Sequence, residues 1–104
     1  MARFDIYANP IASDRKVFPF VLEIQSDLLY RFTERVCVPL VRPEAIPGMT
    51  DRFNPAFQVN GTDVRLHPLG IAVFHQRELR KAVAHARAVA LDIEIALDML
   101  LRGY

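Results

Sequence analysis

The sequence predicts an α+β protein: a small, strongly bent antiparallel sheet, an SH3-like partial barrel, followed by a long C-terminal helix. Three features support this fold class. Short runs of β-branched and aromatic residues alternate with turn residues over most of the chain. The connection Asn60-Gly61 favours a type I′ hairpin turn, because both of its central residues need a positive φ. From Glu78 through Leu101, apolar residues recur instead at helical spacing.

The predicted strands are short. Five strands, with a sixth candidate at the end, cover residues 3–8, 17–28, 36–41, 56–59, 62–67 and 71–74. In the second strand the polar run Gln25-Ser26-Asp27 is unsuited to an ordinary core, although Ser26 follows the inward-facing phase. We expect Pro39 to break the third strand, since proline has no amide donor for the ladder.

The predicted helix carries two apolar faces. One continuous stripe recurs every three or four residues and consists of Val83, Ala86, Ala90, Ile93, Leu97, Leu100 and Tyr104. A second face lies on the opposite side and consists of Ala84, Ala88, Leu91, Ile95 and Met99. One stripe suffices to dock a helix on a core. The second face therefore needs either more core or a partner.

Composition restricts the functions open to the chain. A length of 104 residues predicts one domain, spanning residues 1–104. The formal net charge of +1 argues against tight generic binding to nucleic acid. The only cysteine, Cys37, cannot form an intramolecular disulfide, and no apolar run is long enough to cross a membrane. Because the first residues also lack a signal-peptide pattern, we expect a complete cytoplasmic protein.

Few residues suggest catalysis. His67, His75 and His85 share no metal-ligand spacing, so we expect no metal. Cys37 lies within an apolar strand and is expected to be buried and unreactive. The four glycines are too scattered for a glycine-rich phosphate loop, and we expect no cofactor. We therefore predict that the protein is not an enzyme.

Charged clusters are expected to face solvent. Asp92, Glu94 and Asp98 do not share one face of the predicted helix, which favours solvation or ion pairs over acid–base chemistry. A local basic cluster is interpreted as a solvated helix face and consists of Arg77, Arg80 and Lys81, with Arg87 further on.

Several segments resemble the CcdB toxins of plasmid and chromosomal toxin–antitoxin modules. The most specific is FPFVLEIQSDLL at residues 18–29, followed by RVCVPL at residues 35–40. The opening FDIY at residues 4–7, PLGIA at residues 68–72 and the penultimate Gly103 also match. The resemblance covers nearly the whole chain without large gaps.

This resemblance implies a non-enzymatic, homodimeric poison of DNA gyrase. Such toxins insert between the two gyrase A subunits and trap the enzyme on cleaved DNA, and a partly disordered, CcdA-like antitoxin neutralises them. The implied gyrase-binding surface consists of Phe4, Ser26, Leu28, Asp98, Met99, Arg102, Gly103 and Tyr104. The second helix face offers an antitoxin or dimer surface, unless the chain's own loops cover it, through Leu91, Ile95 and Met99.

Two residues depart from the family pattern. Arg102 and Tyr104 stand where the best-known member has tryptophan and isoleucine. Arginine and tyrosine are themselves enriched at binding hot spots, so gyrase poisoning is retained or the chain is a chromosomal homologue that binds only its antitoxin. A further alternative is an endoribonuclease toxin of the MazF kind. The absence of tryptophan, and Val41 where that family carries a hydroxyl, disfavour it.

Overall fold

One antiparallel sheet and one α-helix form the fold of the computed structural model, which describes residues 2–103. The strands are β1 (Asp5–Ala8), β2 (Phe20–Glu23), β3 (Glu34–Val41), β4 (Ala56–Val59), β5 (Thr62–Leu66), β6 (Ala72–His75) and β7 (Ala84–His85). Their order across the sheet is β4-β5-β3-β2-β1-β7, and β6 pairs with β3. The helix α1 (Ala90–Arg102) follows the last strand.

Pro39 lies inside β3, which continues past it, whereas the chain opposite Pro39 is divided into two strands, β5 and β6. β5 and β6 pair with the same edge of β3, one on each side of Pro39. Between them the chain leaves the ladder as a 3-10 turn, Pro68–Gly70. The Pro39 carbonyl still accepts a hydrogen bond from the His67 amide at 3.0 Å, but its ring nitrogen has none to donate. The expected break in the third strand was therefore wrong. The turn Pro68–Gly70 lies opposite Pro39, so no ladder hydrogen bond from the Pro39 nitrogen is required there.

Residues on both faces of the central strands are buried. Alternate residues of a strand point to opposite faces, so β1, β2 and β3 each contribute to two clusters. The inner cluster joins the sheet to α1 and consists of Phe4, Ile6, Leu22, Val38, Leu40, Val59, Val64, Leu66, Ala86, Ile93, Ala96 and Leu97. The outer cluster consists of Tyr7, Val21, Cys37, Phe74 and Leu79. The helix thus covers the concave side of a bent sheet.

The two ends of the sheet approach each other and nearly close a barrel. In the β4–β5 hairpin, Asn60 and Gly61 have φ values of 49° and 84°, as the predicted turn requires. The Asn60 side-chain amide donates to the Val83 carbonyl at 3.2 Å, next to β7 at the far end of the strand order. The predicted α+β class with a partial barrel is therefore confirmed.

The helix begins at Ala90 rather than at Glu78, so the prediction of one helix over 78–101 was wrong at its start. The intervening residues include β7, in which Ala84 pairs with Ile6 of β1. Val83, placed in the buried stripe by its spacing, is 43% exposed. Pairing with β1 provides hydrogen bonds for the backbone of β7 in place of the internal hydrogen bonds of a helix. No helix within residues 2–103 has the length and apolar character needed to cross a membrane.

The second strand is shorter than residues 17–28. β2 ends at Glu23, and a 3-10 turn at Asp27–Leu29 follows. Gln25 is buried, contrary to expectation, because its side chain accepts from the Val36 amide at 3.0 Å and donates to the Leu29 carbonyl at 3.4 Å. Ser26 is exposed, since the strand phase that would turn it inward has already ended.

Candidate functional site

The C-terminal end of α1 is capped by glycine and leaves its last turn exposed. Gly103 adopts φ 85° and its amide donates to the Asp98 carbonyl at 3.2 Å. Glycine commonly ends helices in this left-handed conformation because it has no Cβ to clash. Leu101 is 73% exposed, and Arg102 Nε lies 3.8 Å from Asp98 Oδ1. Tyr104 lies outside the described residues.

Arg3 connects the helix to the chain segment after β2. Its NH1 lies 3.1 Å from Glu94 Oε1, and its Nε donates to the Ile24 carbonyl at 3.1 Å. The Arg3 backbone amide donates to Asp27 Oδ1 at 2.8 Å, and the guanidinium lies 4.5 Å from the centre of the Phe4 ring. Phe4 has φ 72°, which is uncommon for a non-glycine residue. Side-chain contacts of Arg3 thus fix the N-terminal segment beside α1.

These contacts border a groove of about 350 Å³ next to the helix end. It is lined by Arg3, Ile24, Glu94, Leu97, Asp98 and Leu101. Of these residues, Asp98 was among the implied gyrase-binding residues, whereas Arg3 and Leu101 were not. Arg3 and Glu94 are 91 positions apart, so no local spacing could have indicated their contact. Leu101 lies between residues of the two predicted helix faces and belongs to neither.

The connection between β2 and β3 presents an apolar loop, residues 28–32. Ser26 Oγ accepts from the Leu28 amide at 3.2 Å, and Leu28 is 88% exposed. Three more large side chains of this loop are exposed: Leu29, Tyr30 and Phe32. The buried Arg35 guanidinium donates to the carbonyls of Leu29 at 3.4 Å and Tyr30 at 3.1 Å. The backbone of the apolar loop is therefore held from below while its side chains face solvent.

The implied binding residues differ in exposure. Ser26, Leu28, Arg102 and Gly103 are exposed, whereas the Phe4 side chain is buried in the inner cluster beneath Arg3. On the second helix face, exposure falls along the helix axis. Leu91 is 70% exposed, but Ile95 and Met99 are partly buried. The chain covers part of this face and leaves its N-terminal end open.

Two buried ionisable groups, Glu23 and Cys37, face each other across β2 and β3. Cys37 is buried as predicted, and burial, with the nearby Glu23 charge, raises the pKa of its thiol to about 12. Burial also raises the pKa of Glu23, against the opposing effect of the Arg35 charge, and Glu23 Oε1 has no hydrogen-bond partner. A thiol in this environment is a poor nucleophile. Among residues 2–103, no group of histidine, cysteine and carboxylate side chains is placed to hold a metal ion.

Solved structures of two endoribonucleases share this fold. An endoribonuclease from a mycobacterial species superposes with a TM-score of 0.74 at 16% identity, over 97% of this chain and 90% of that chain. A mycobacterial endoribonuclease in complex with its cognate antitoxin superposes with a TM-score of 0.71 at 15% identity, over 97% and 94% of the two chains. At such identities the likeness shows the fold alone. No curated protein sequence matches the chain.

The fold and the site geometry define a small barrel-and-helix protein with an exposed helix end and an exposed apolar loop. The match to a family model is more specific than the shared fold. Residues 3–103 match the family model of the CcdB protein, which is nearly the whole chain. The chain therefore belongs to the CcdB family of toxins, as the resemblance of its segments implied.

Proposed function

We propose that this protein is the toxin of a type II toxin–antitoxin module and acts in the cytoplasm as a homodimer. It binds the DNA gyrase A subunit and traps the gyrase–DNA cleavage complex, and a partly disordered, CcdA-like antitoxin neutralises it. It needs no cofactor, makes no direct contact with nucleic acid and catalyses no reaction. The observation that carries this proposal is the exposed end of α1, held beside the β2–β3 connection by the contacts of Arg3 with Glu94 and Asp27.

The chemistry of the helix end suits a protein partner. Leu101 supplies an exposed apolar side chain, and Arg102 supplies a planar guanidinium that is 63% exposed. Arginine is enriched among residues whose loss weakens protein complexes most. Gly103 adds no side chain, so a partner can approach the helix terminus closely. Arg102 is therefore assigned here the anchoring role that an aromatic residue has in the best-known member.

The antitoxin contact is assigned to the apolar surfaces. Disordered segments that fold on binding place apolar anchors in hydrophobic surfaces. Leu91 and the apolar loop offer hydrophobic surface for such anchors, because Leu91 is 70% exposed and Leu28 of the loop is 88% exposed. One structure of the same fold holds a cognate antitoxin, which supports an antitoxin as the partner class.

The test of the gyrase assignment is a DNA cleavage assay with purified gyrase. The protein is expected to accumulate cleaved DNA after denaturation of the complex, and Leu101→Glu is expected to lower the effect about tenfold or more, since a charge replaces an exposed apolar contact. Ile11→Glu is the matched control, because Ile11 is an exposed apolar residue (47%) in the β1–β2 connection, outside the groove. Absence of cleaved DNA with the unchanged protein refutes gyrase poisoning.

Growth of cells that express the protein alone separates a toxin from a homologue that binds only its antitoxin. We expect growth arrest, rescued by substitutions in the gyrase A subunit and by a co-expressed antitoxin. Normal growth at high expression refutes the toxin assignment. Arrest that gyrase A substitutions never relieve assigns the toxicity to another target.

Endoribonuclease activity is the second candidate, favoured by the fold shared with two endoribonucleases. Val41 stands where a hydroxyl is expected for that activity, and its side chain is fully buried. We therefore expect a long RNA to remain intact after incubation with the purified protein. Discrete RNA fragments that persist after repeated purification would replace the gyrase assignment with RNA cleavage.

A further inference from the structure

A basic cavity of about 300 Å³ lies between the β1–β2 connection and the segment after β6, and the proposed function does not use it. Four cations line it, Arg15, Arg77, Arg80 and Lys81, together with the carboxylate Glu78 and the β1 residue Tyr7. Arg77, Arg80 and Lys81 were predicted to lie on a solvated helix face, but α1 begins only at Ala90, and of the three only Arg77 lies in a 3-10 turn, Gln76–Glu78. Tertiary folding instead brings Arg15 across from the other three.

The four cations of this cavity outnumber the one carboxylate that lines it. Within the part of the chain that the structure describes, ion pairs involve four other arginines: Arg3, Arg65, Arg87 and Arg102. Glu78 Oε1 accepts the His75 amide at 2.9 Å and caps the 3-10 turn Gln76–Glu78, and its carboxylate charge offsets one of the four cations. A concentration of positive charge therefore remains, in a chain whose formal net charge is only +1.

The supports of the cavity are fixed on both sides. Arg15 Nε donates to the Asn9 carbonyl at 2.6 Å, and the buried Asn9 side chain donates to the Phe18 carbonyl at 2.9 Å. On the other side Leu79 is 2% exposed and belongs to the outer cluster with Tyr7. Burial of Leu79 anchors the segment whose flanking residues carry the cations. The Arg15 side chain is therefore held in place, and a side chain that is already held loses less conformational entropy on binding than a free one.

We propose that this cavity binds a compact anion of the diphosphate class, either free pyrophosphate or the diphosphate of a nucleotide. Guanidinium groups pair with phosphoryl oxygens through two parallel hydrogen bonds, and three of the four cations are arginines. The volume is at the lower end for small-molecule sites and fits a diphosphate better than a macromolecule. Part of the wall is formed by Tyr7, Ala8 and Pro10.

The test is isothermal titration of the full chain with sodium pyrophosphate, and separately with ADP, at about 150 mM salt, where weak surface attraction is screened. Arg80→Gln and Arg77→Gln are each expected to weaken binding about tenfold, the loss typical of one charged hydrogen-bonding partner. Arg52→Gln is the matched control, because Arg52 is an exposed arginine outside the cavity. Thermal melting of each variant verifies that the fold is retained.

Each outcome decides the proposal. Binding of pyrophosphate or ADP that falls in Arg77→Gln and Arg80→Gln but not in Arg52→Gln supports it, and the two titrants show whether a free or a nucleotide-borne diphosphate is preferred. No heat with either titrant at millimolar concentration overturns it. Equal weakening in all three variants also overturns it. None of these results depends on gyrase.

Discussion

Substitution of Gly70 by alanine tests how the sheet accommodates Pro39 and how the turn beside α1 is held. A Cβ at position 70 would lie 2.6 Å from Pro39 Cγ and 2.9 Å from His67 Cδ2. Carbon atoms in contact prefer separations of about 3.5–4.0 Å. The Pro39 ring is fixed in β3 and cannot rotate away, so the turn Pro68–Gly70, which contacts α1, has to shift.

The expected cost follows from overpacking. Forcing one extra carbon into a packed site typically costs about 1–3 kcal/mol. At about 2.1 cal/mol/K of unfolding entropy per residue, a chain of 104 residues loses about 5–14 °C in Tm for that cost. Thermal and urea unfolding followed by circular dichroism measure both quantities. A loss in Tm below about 2 °C would refute the clash.

A double-mutant cycle identifies Pro39 as the cause. Pro39→Ala removes the ring atoms, so Gly70→Ala is expected to cost at least about 1 kcal/mol less in that background than alone. Gly48→Ala is the matched control. No atom lies within 4 Å of a Cβ at position 48, but φ is +80°, so its cost of about 1 kcal/mol arises from the backbone and is independent of Pro39. Additive effects at positions 70 and 39 would contradict the reasoning.

Two further predictions concern the core. Ile93→Ala is expected to lower the free energy of unfolding by about 2–5 kcal/mol, because it removes a fully buried side chain from the inner cluster, whereas Leu91→Ala at a 70% exposed position changes it by less than about 0.5 kcal/mol. Equal losses in urea unfolding would show that α1 docks differently. Burial raises the pKa of Glu23 above its ordinary value of 4.5. The contribution of this group to the free energy of unfolding is therefore fully present below pH 4.5, where the side chain is protonated, and is lost as the pH rises through the raised pKa. Glu23→Gln is therefore expected to raise Tm at about pH 8 and to leave it unchanged below pH 4.5, and an equal shift at both pH values would exclude titration of Glu23 as the cause.

Prediction from sequence succeeded where neighbouring residues determine the structure. The turn at Asn60-Gly61 follows from the φ values that those two residues accept. The same reasoning failed at residues 78–89. There the apolar spacing resembled a helix, but Ala84 pairs with Ile6, a partner 78 positions earlier in the chain. The spacing of apolar residues within a short segment contains no information about a pairing partner so far away in the sequence.

The residues of the candidate site stay a prediction, although the structure shows that Leu28 and Arg102 are exposed. The sequence indicated the exposed helix end and the segment with Ser26 and Leu28, and family membership confirms the kind of protein. It did not indicate Arg3, whose partner Glu94 lies at the other end of the chain. It also separated Arg15 from Arg80, which line one cavity. Long-range contacts of this kind depend on how the sheet bends.

The fold class, the family and the hairpin turn were thus predictable from the amino-acid sequence. Three features required the three-dimensional structure: where α1 begins, how the strands opposite Pro39 are arranged, and which charged residues meet. The physical reason is the range of the interactions. Turns and caps depend on backbone conformations of a few consecutive residues, whereas strand pairing, burial and ion pairs depend on residues that folding brings together from distant parts of the chain.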